Sequence, residues 1–549
     1  GLTENITSDG TDLTITNLDS TNGTSISLTN DTGNVSVASF DTSGTGTLTL
    51  NATTGGISLA DGAIVNDTGT VSLTAALTIN EATSNTTANV TTNGNLSLSS
   101  GTGIGATGAD AVDVSVGGVL DVATTGSGAG IFINGTTALT VDAISTLATD
   151  TATVSFTTTS GAALVLDGAG GYAGLDGASG DNVILNSDGT LTTQTTTLSA
   201  RSFDIDTTGD TVTIDAALVA DQTIDLNTGT GAGAVAINAS VTADQFNITT
   251  DAGTLTDSNS PTITVTTGLA INLGAGNGTL DDSVIDGAGS VTKAGTGRLI
   301  LASDNTYTGT TLINAGALQI QHSNALGTTA GSTTVADGAT LELAGGISTG
   351  EAVTVTGTGT ASSGAIQNVS ANNAITGTVT LATSASSIVS ATGGDTLTLG
   401  NIALDSFNLT FDGVGNATVG GVISETGTGT VTKVGTGTLR YAGSSANTYT
   451  GVTTINAGTL ELAKDAGTNA IAGDITVGDG TATDTLRLIN ANQIADTSDV
   501  SLSSSGVLDL NDQAETIAQL TGSGTVMFGA TAGNILTVGD GATDFTFGG

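Results

Sequence analysis

The chain has 549 residues, with 50 acidic side chains against 7 basic ones and a net charge of −43, yet only 10% of its residues are charged. Globular proteins average about 25% charged residues and about 7% glycine, whereas here 81 residues are glycine, about a fifth are threonine, and there is one proline, one histidine, no cysteine and no tryptophan. Seven scattered cations cannot form a phosphate-binding surface, so nucleic acid is excluded as a partner; the missing cysteine excludes disulfide and thiolate-zinc frameworks, and no run of 18 apolar residues offers a membrane-spanning helix.

Along the chain the apolar residues alternate: Leu13 and Ile15, Leu48 and Leu50, Leu96 and Leu98. Period-two alternation between turn residues predicts short strands with one buried face. A hydrophobic fraction of 37% and a mean hydropathy of +0.24 set the chain apart from solvated linkers of similar glycine and serine content. Strands of three to six residues recur about every 8–14 residues, separated by Asp-Gly, Asn-Gly and Gly-Thr-Gly turns. No helical stripe interrupts them, and the rhythm runs on unbroken, which favours a quasi-one-dimensional stack of coils. With ~20–30 residues per coil the chain makes roughly 18–27 coils, a rod of about 90–130 Å. Inward positions call for Val, Ile, Leu and Ala, outward ones for Thr and Ser, and corners for Gly, Asn and Asp.

Charge divides the chain softly near residues 260–285. The first basic residue is Arg201, and the other six are Lys293, Arg298, Lys433, Arg440, Lys464 and Arg487. Residues 1–260 read as an irregular strand array and residues 261–549 as the part that carries a long repeat. Ile285–Ile320 is IDGAGSVTKAGTGRLILASDNTYTGTTLINAGALQI, and Ile423–Leu462 is ISETGTGTVTKVGTGTLRYAGSSANTYTGVTTINAGTLEL. The shared residues are Lys293 and Lys433, Asn305 and Asn447, Tyr307 and Tyr449, Gly309 and Gly451, and Gly316 and Gly458. The asparagines are expected at turns, the tyrosines over an end of the strand stack, and the lysines beside Asp side chains that they offset.

This pair resembles the autotransporter-associated β-strand repeat, also called the passenger-associated transport repeat, of large bacterial surface proteins. Asp484–Asn511 looks like that family too, and residues 1–260 resemble, more loosely, the β-helical passengers of haemagglutinin-like adhesins. The resemblance implies an all-β, right-handed parallel β-helix, secreted to the bacterial cell surface. Asp544–Gly549 resembles Asn416–Gly421, which leads into the second copy, so the sequence is expected to be a stretch of a longer protein cut at a third repeat.

Other chemistry is thinly supported. Gly103–Gly108 fits GxGxxG but opens no helix, so dinucleotide binding is not expected. Gly177–Asp181 is loosely like a serine-hydrolase nucleophile segment, but the sole histidine, His322, lies downstream with no triad around it. Cleavage of polysaccharide would need paired carboxylates, one held protonated, and outward Asp residues in a polar array lack the surroundings for that. Calcium is the one small ligand worth testing: Asp204, Asp206, Asp210 and Asp215 put oxygen donors near the Gly209 turn, although position five is Thr208 and the bidentate Glu of an EF-hand is missing. Gly170–Asp176 is a single poor approximation to a calcium-binding nonapeptide. Asn-x-Ser/Thr sequons at Asn5, Asn34, Asn51 and Asn95 follow from composition.

The reading is a non-enzymatic, extracellular β-solenoid with a structural or adhesive role and no resident cofactor. Its partner is either a host, matrix or cell-surface ligand or further copies of itself, joined as a fibre or surface layer.

Overall fold

In the computed structural model the strands named by alternation are stacked in parallel, coil upon coil, as an all-β solenoid of about 23 turns. The structure describes residues 4–8, 11–20, 23–147, 151–175, 180–382, 386–390, 393–530, 535–539 and 548. Two three-residue helical turns, Gly108–Asp110 and Thr360–Ser362, are the only helix among them. The chain divides into two compact units, Gly1–Gly278 with Asp282–Ile285, and Thr279–Asp281 with Asp286–Gly549.

In the first unit one coil holds three strands, Leu48–Ala52, Ile57–Leu59 and Ile64–Asn66. Each pairs in parallel with its equivalents one coil back and one coil on: Leu48–Ala52 with Ile26–Asn30 and Val71–Ala75, and Ile64–Asn66 with Phe40–Thr42 and Val90–Thr92. Identical registers stack like on like. Leu28, Leu50, Leu73, Leu98 and Val122 form one inward column, each at most 2% exposed. A buried Leu is worth ~2 kcal/mol against solvent exposure, so the column supplies the drive to stack while outward Thr and Ser supply only strand propensity. Further along, the second and third strands of a coil fuse: Val241–Thr250 pairs with both Leu218–Ala220 and Thr223–Asn227.

Corners are where backbone carbonyls lose strand partners, and a buried carbonyl without one is costly. Here the last inward residue of a strand is polar and turns back to cap the corner. Ser100 Oγ donates to the Gly103 carbonyl at 2.7 Å, Thr158 Oγ1 to Ala162 at 2.6 Å, Thr207 Oγ1 to Asp210 at 2.7 Å and Thr228 Oγ1 to Gly233 at 3.0 Å.

The second unit also carries three parallel stacks, and the two long repeats use different ones. In the first copy Ser290–Ala294 pairs with Thr311–Ile313, while Arg298–Leu301 pairs with Gly316–Ile320. The stack that holds Arg298–Leu301 continues to Leu409–Asp412, and the second copy lays its Val431–Lys433 there, beside Thr453–Ile455. Its Thr438–Gly443 and Gly458–Lys464 lie on a third stack. The second copy is therefore turned by one face, so the repeat is a self-contained device rather than a property of one side.

Candidate functional site

Val-Thr-Lys alternates, so Lys293 and Lys433 point inward beside Val291 and Val431. Lys293 is fully buried and Lys433 is 4% exposed. The Lys293 stem continues the column of Ile313, and its ammonium donates to the carbonyls of Ala294 at 2.6 Å, Gly295 at 2.8 Å and, one coil on, Ala315 at 3.3 Å. Lys433 does the same with Gly435 and with Ala457 at 3.0 Å. At Lys293 a carbonyl cap stands where an Asp partner was expected, whereas Lys433 combines the cap with the nearby charges of Asp412 and Asp484: an inward side chain long enough to reach the corner finds backbone oxygens there. Burial pushes both ammonium groups down to about 8, opposed in Lys433 by Asp412 and Asp484.

The carbonyls capped one coil on belong to the Asn-Ala-Gly corner. Gly316 and Gly458 close it with φ of +65° and +71°, a conformation L side chains rarely adopt. Gly309 and Gly451 serve otherwise. A Cβ on Gly309 would lie 2.2 Å from the Gly289 carbonyl oxygen and one on Gly451 2.0 Å from that of Gly429, so backbones of successive coils touch there.

Asn305 and Asn447 are buried, and their amides donate to the next coil, to Ala325 and Ala470, both at 2.8 Å. Tyr307 and Tyr449 are buried within the stack rather than placed over an end, because each hydroxyl finds a partner inside: Thr311 Oγ1 at 2.6 Å and Thr453 Oγ1 at 2.7 Å. The Lys, Asn and Tyr of each copy are buried and the two Gly meet the preceding coil, while the intervening threonines face out.

Sequence reasoning missed a third inward lysine. Lys464 is 1% exposed and donates to the carbonyls of Gly421 and Ala442, both at 3.1 Å; its inward position after Leu460 and Leu462 carried the signal. The arginines of this unit instead face out and pair with carboxylates: Arg298 with Glu342 at 2.8 Å, Arg440 with Glu461 at 3.3 Å and Arg487 with Asp509 at 3.4 Å. Register makes Arg440, Glu461, Arg487 and Asp509 one alternating column.

The four calcium candidates do not converge. Asp204 and Asp206 point outward on Ser202–Thr207, where burial and the neighbouring Asp206 and Asp225 raise Asp204. The Asp210 carbonyl accepts the Thr207 hydroxyl, and the Asp215 carboxylate accepts the Asn238 amide on a different stack from Asp204. Among the described residues no group of three or more His, Asp or Glu side chains is placed to hold a metal ion. Gly103–Gly108 ends in the short Gly108–Asp110 turn. His322 accepts the Asn324 amide at 3.2 Å and lies 3.9 Å from Asp304. Asp176, Gly177–Ser179 and Asp544–Phe547 with Gly549 lie outside the described residues.

Residues 291–320 and 431–462 match the family model described as passenger-associated-transport-repeat. A relative named "Adhesin BmaC autotransporter", from Brucella suis biovar 1 (strain 1330), is 37% identical over 97 residues, which is 18% of this chain and 2% of that protein's length. No solved structure matches.

Proposed function

We propose that this β-solenoid, which carries two passenger-associated transport repeats, is a surface-displayed part of an autotransporter-type adhesin, with the coil stack as scaffold and the outward faces as the binding surface. One observation carries the reading: the same lysine-capped, glycine-stacked device is built twice on different faces, with its Lys, Asn and Gly pairs spent on holding coil to coil. Such a device serves mechanical continuity and leaves recognition to the outward Thr, Asn and Asp columns. The match to a protein named as an adhesin supports the same role. The most perturbed carboxyls in the second unit, Glu351 and Glu515, are nearly inaccessible at 2% and 1% exposure, which favours a non-enzymatic function.

Two measurements test this. Antibodies raised against the folded chain should label intact cells that express the parent protein, and beads coated with the purified chain should adhere to host-cell or matrix layers above albumin-coated controls. Absence of surface labelling and of bead adhesion together would overturn the reading; end-to-end filaments or sheets of purified protein in electron micrographs would replace it with self-assembly.

A further inference from the structure

Outward polar side chains in the first unit mostly satisfy one another across coils. Ser202 pairs with Asn182, Asn247 with Asp225, Asn238 with Asp215, and Asn134 with Asp113, all within 2.7 Å. One column breaks the habit. From Asn134 the register runs to Thr157, Asn186 and Asp206 on successive coils, about 4.8 Å apart. The side chains of Thr157, Asn186 and Asp206 make no hydrogen bond within the described chain, and neither does that of Ser155 beside them.

These residues floor a trough made of two cavities that meet at Thr157 and Thr159. One, of about 300 Å³, runs over Phe132, Asn134 and Ser155; the other, of about 460 Å³, runs over Asn186 and Asp206. Both walls are pinned. Thr83 donates to Asp61 at 2.9 Å and Ser84 to Asp110, holding the 82–89 segment in place. Along the second cavity, Asp188 accepts the Thr208 hydroxyl at 2.6 Å and the Gly161 amide at 2.7 Å. Phe132 points out on the Ile131–Gly135 strand, partly exposed, and its ring lies over Gly130, where a Cβ would come within 2.6 Å of it. The large phenylalanines of the neighbouring coils, Phe156, Phe203 and Phe246, are buried in the core instead.

We propose that this trough binds a neutral oligosaccharide, with Phe132 as the stacking face and Thr157, Asn186 and Asp206 bonding successive ring hydroxyls. Preformed sites that combine an aromatic surface with a few free polar groups suit ligands of this kind, and pinned walls lower the ordering cost of binding. Charge chooses the class: Asp188 and Asp206 line the trough, and the unit's single cation is Arg201, so polyanions are repelled. An added peptide strand is disfavoured because the floor strands are already paired on both sides. This names the ligand class for the adhesive reading above and rests on that reading.

The test is calorimetry of the full chain with cellohexaose, chitohexaose, laminarihexaose and maltohexaose, and with hexagalacturonate as the anionic contrast. At least one neutral probe should bind. Phe132→Ala should weaken it about tenfold or more, since an aromatic contact is worth ~0.5–1.5 kcal/mol beyond its buried area. Thr157→Arg, which fills the junction, should abolish binding, and both variants should melt as the parent does. Failure of all neutral probes, preference for hexagalacturonate, or binding that survives both substitutions would overturn the proposal. Bead adhesion retained by Thr157→Arg would then place adhesion elsewhere on the solenoid and leave the surface-display reading intact.

Discussion

In the first unit the coil corners are capped by hydroxyls such as those of Ser100, Thr158 and Thr207; in the second, Lys293, Lys433 and Lys464 reach the same kind of carbonyl with a buried ammonium. A hydroxyl has a single proton to give, even where, as at Ser100, it lies between the Gly103 carbonyl of its own corner and the Leu77 carbonyl one coil back. A lysine buries a four-carbon stem in the core and caps carbonyls of two coils at once. Burying a charge costs several kcal/mol unless it is fully hydrogen-bonded, and bonds to a charged donor are worth about 1.5–3 kcal/mol each. The lysine cap thus reaches carbonyls of two coils with one group, but it carries the desolvation cost that its lowered pKa records, and it makes the corner dependent on one side chain.

The largest expected effect tests the backbone contact that accompanies the lysine cap. Gly451→Val should cost about 3 kcal/mol or more, because its Cβ would meet the Gly429 carbonyl at 2.0 Å, backbone that cannot swing aside, and cores tolerate overpacking poorly. Urea pulse proteolysis with fragments mapped by mass spectrometry would show the second unit opening first. Thr158→Val, in the first unit, removes the shorter of two hydroxyl contacts to the Ala162 carbonyl, leaving Ser187 Oγ at 3.2 Å, and should cost about 1 kcal/mol, read in the same experiment from first-unit fragments.

The units should also differ in pH response. Burial raises Glu351 and Glu515 to about 7. Their folded pKa lies above the unfolded one, so stability should rise as pH falls from about 7 to 4.5, by roughly 1–3 kcal/mol per group. Lys293 and Lys433, lowered to about 8, give the opposite limb, with stability rising from about pH 8 toward 10.5. The second unit should therefore be least stable near pH 7–8. The first unit, with raised Asp113, Asp121 and Asp204 and no lysine, should gain toward acid only; an alkaline gain there would break the comparison. Smallest of all, Arg440→Gln should cost under about 1 kcal/mol, because the Arg440–Glu461 pair is partly exposed, and its melting temperature should stay within a degree or two of the parent's.

Much of the fold was legible because strand alternation is a local signal: Leu48 and Leu50 point inward as their spacing requires. The inward lysines were legible in principle, since Lys433 follows Val431 by two, but the expectation of an Asp partner carried no information about which face they take. What could not be read was register across coils. Thr157, Asn186 and Asp206 are separated by 29 and then 20 residues, because turn insertions vary from coil to coil. No fixed spacing in the sequence reveals the trough, the Arg440–Asp509 column or the one-face turn between repeats. Asp204 and Asp206 share a face as their spacing suggests, while Asp215 falls on another stack for the same reason.

Lys433→Met tests the lysine cap most directly, since it keeps the stem and removes only the ammonium. Mapped pulse proteolysis should show second-unit fragments released at lower urea, equivalent to a loss of about 2–4 kcal/mol, with first-unit fragments unchanged. A variant as stable as the parent, or one that weakens both units equally, would contradict the claim that buried lysines hold these coils together.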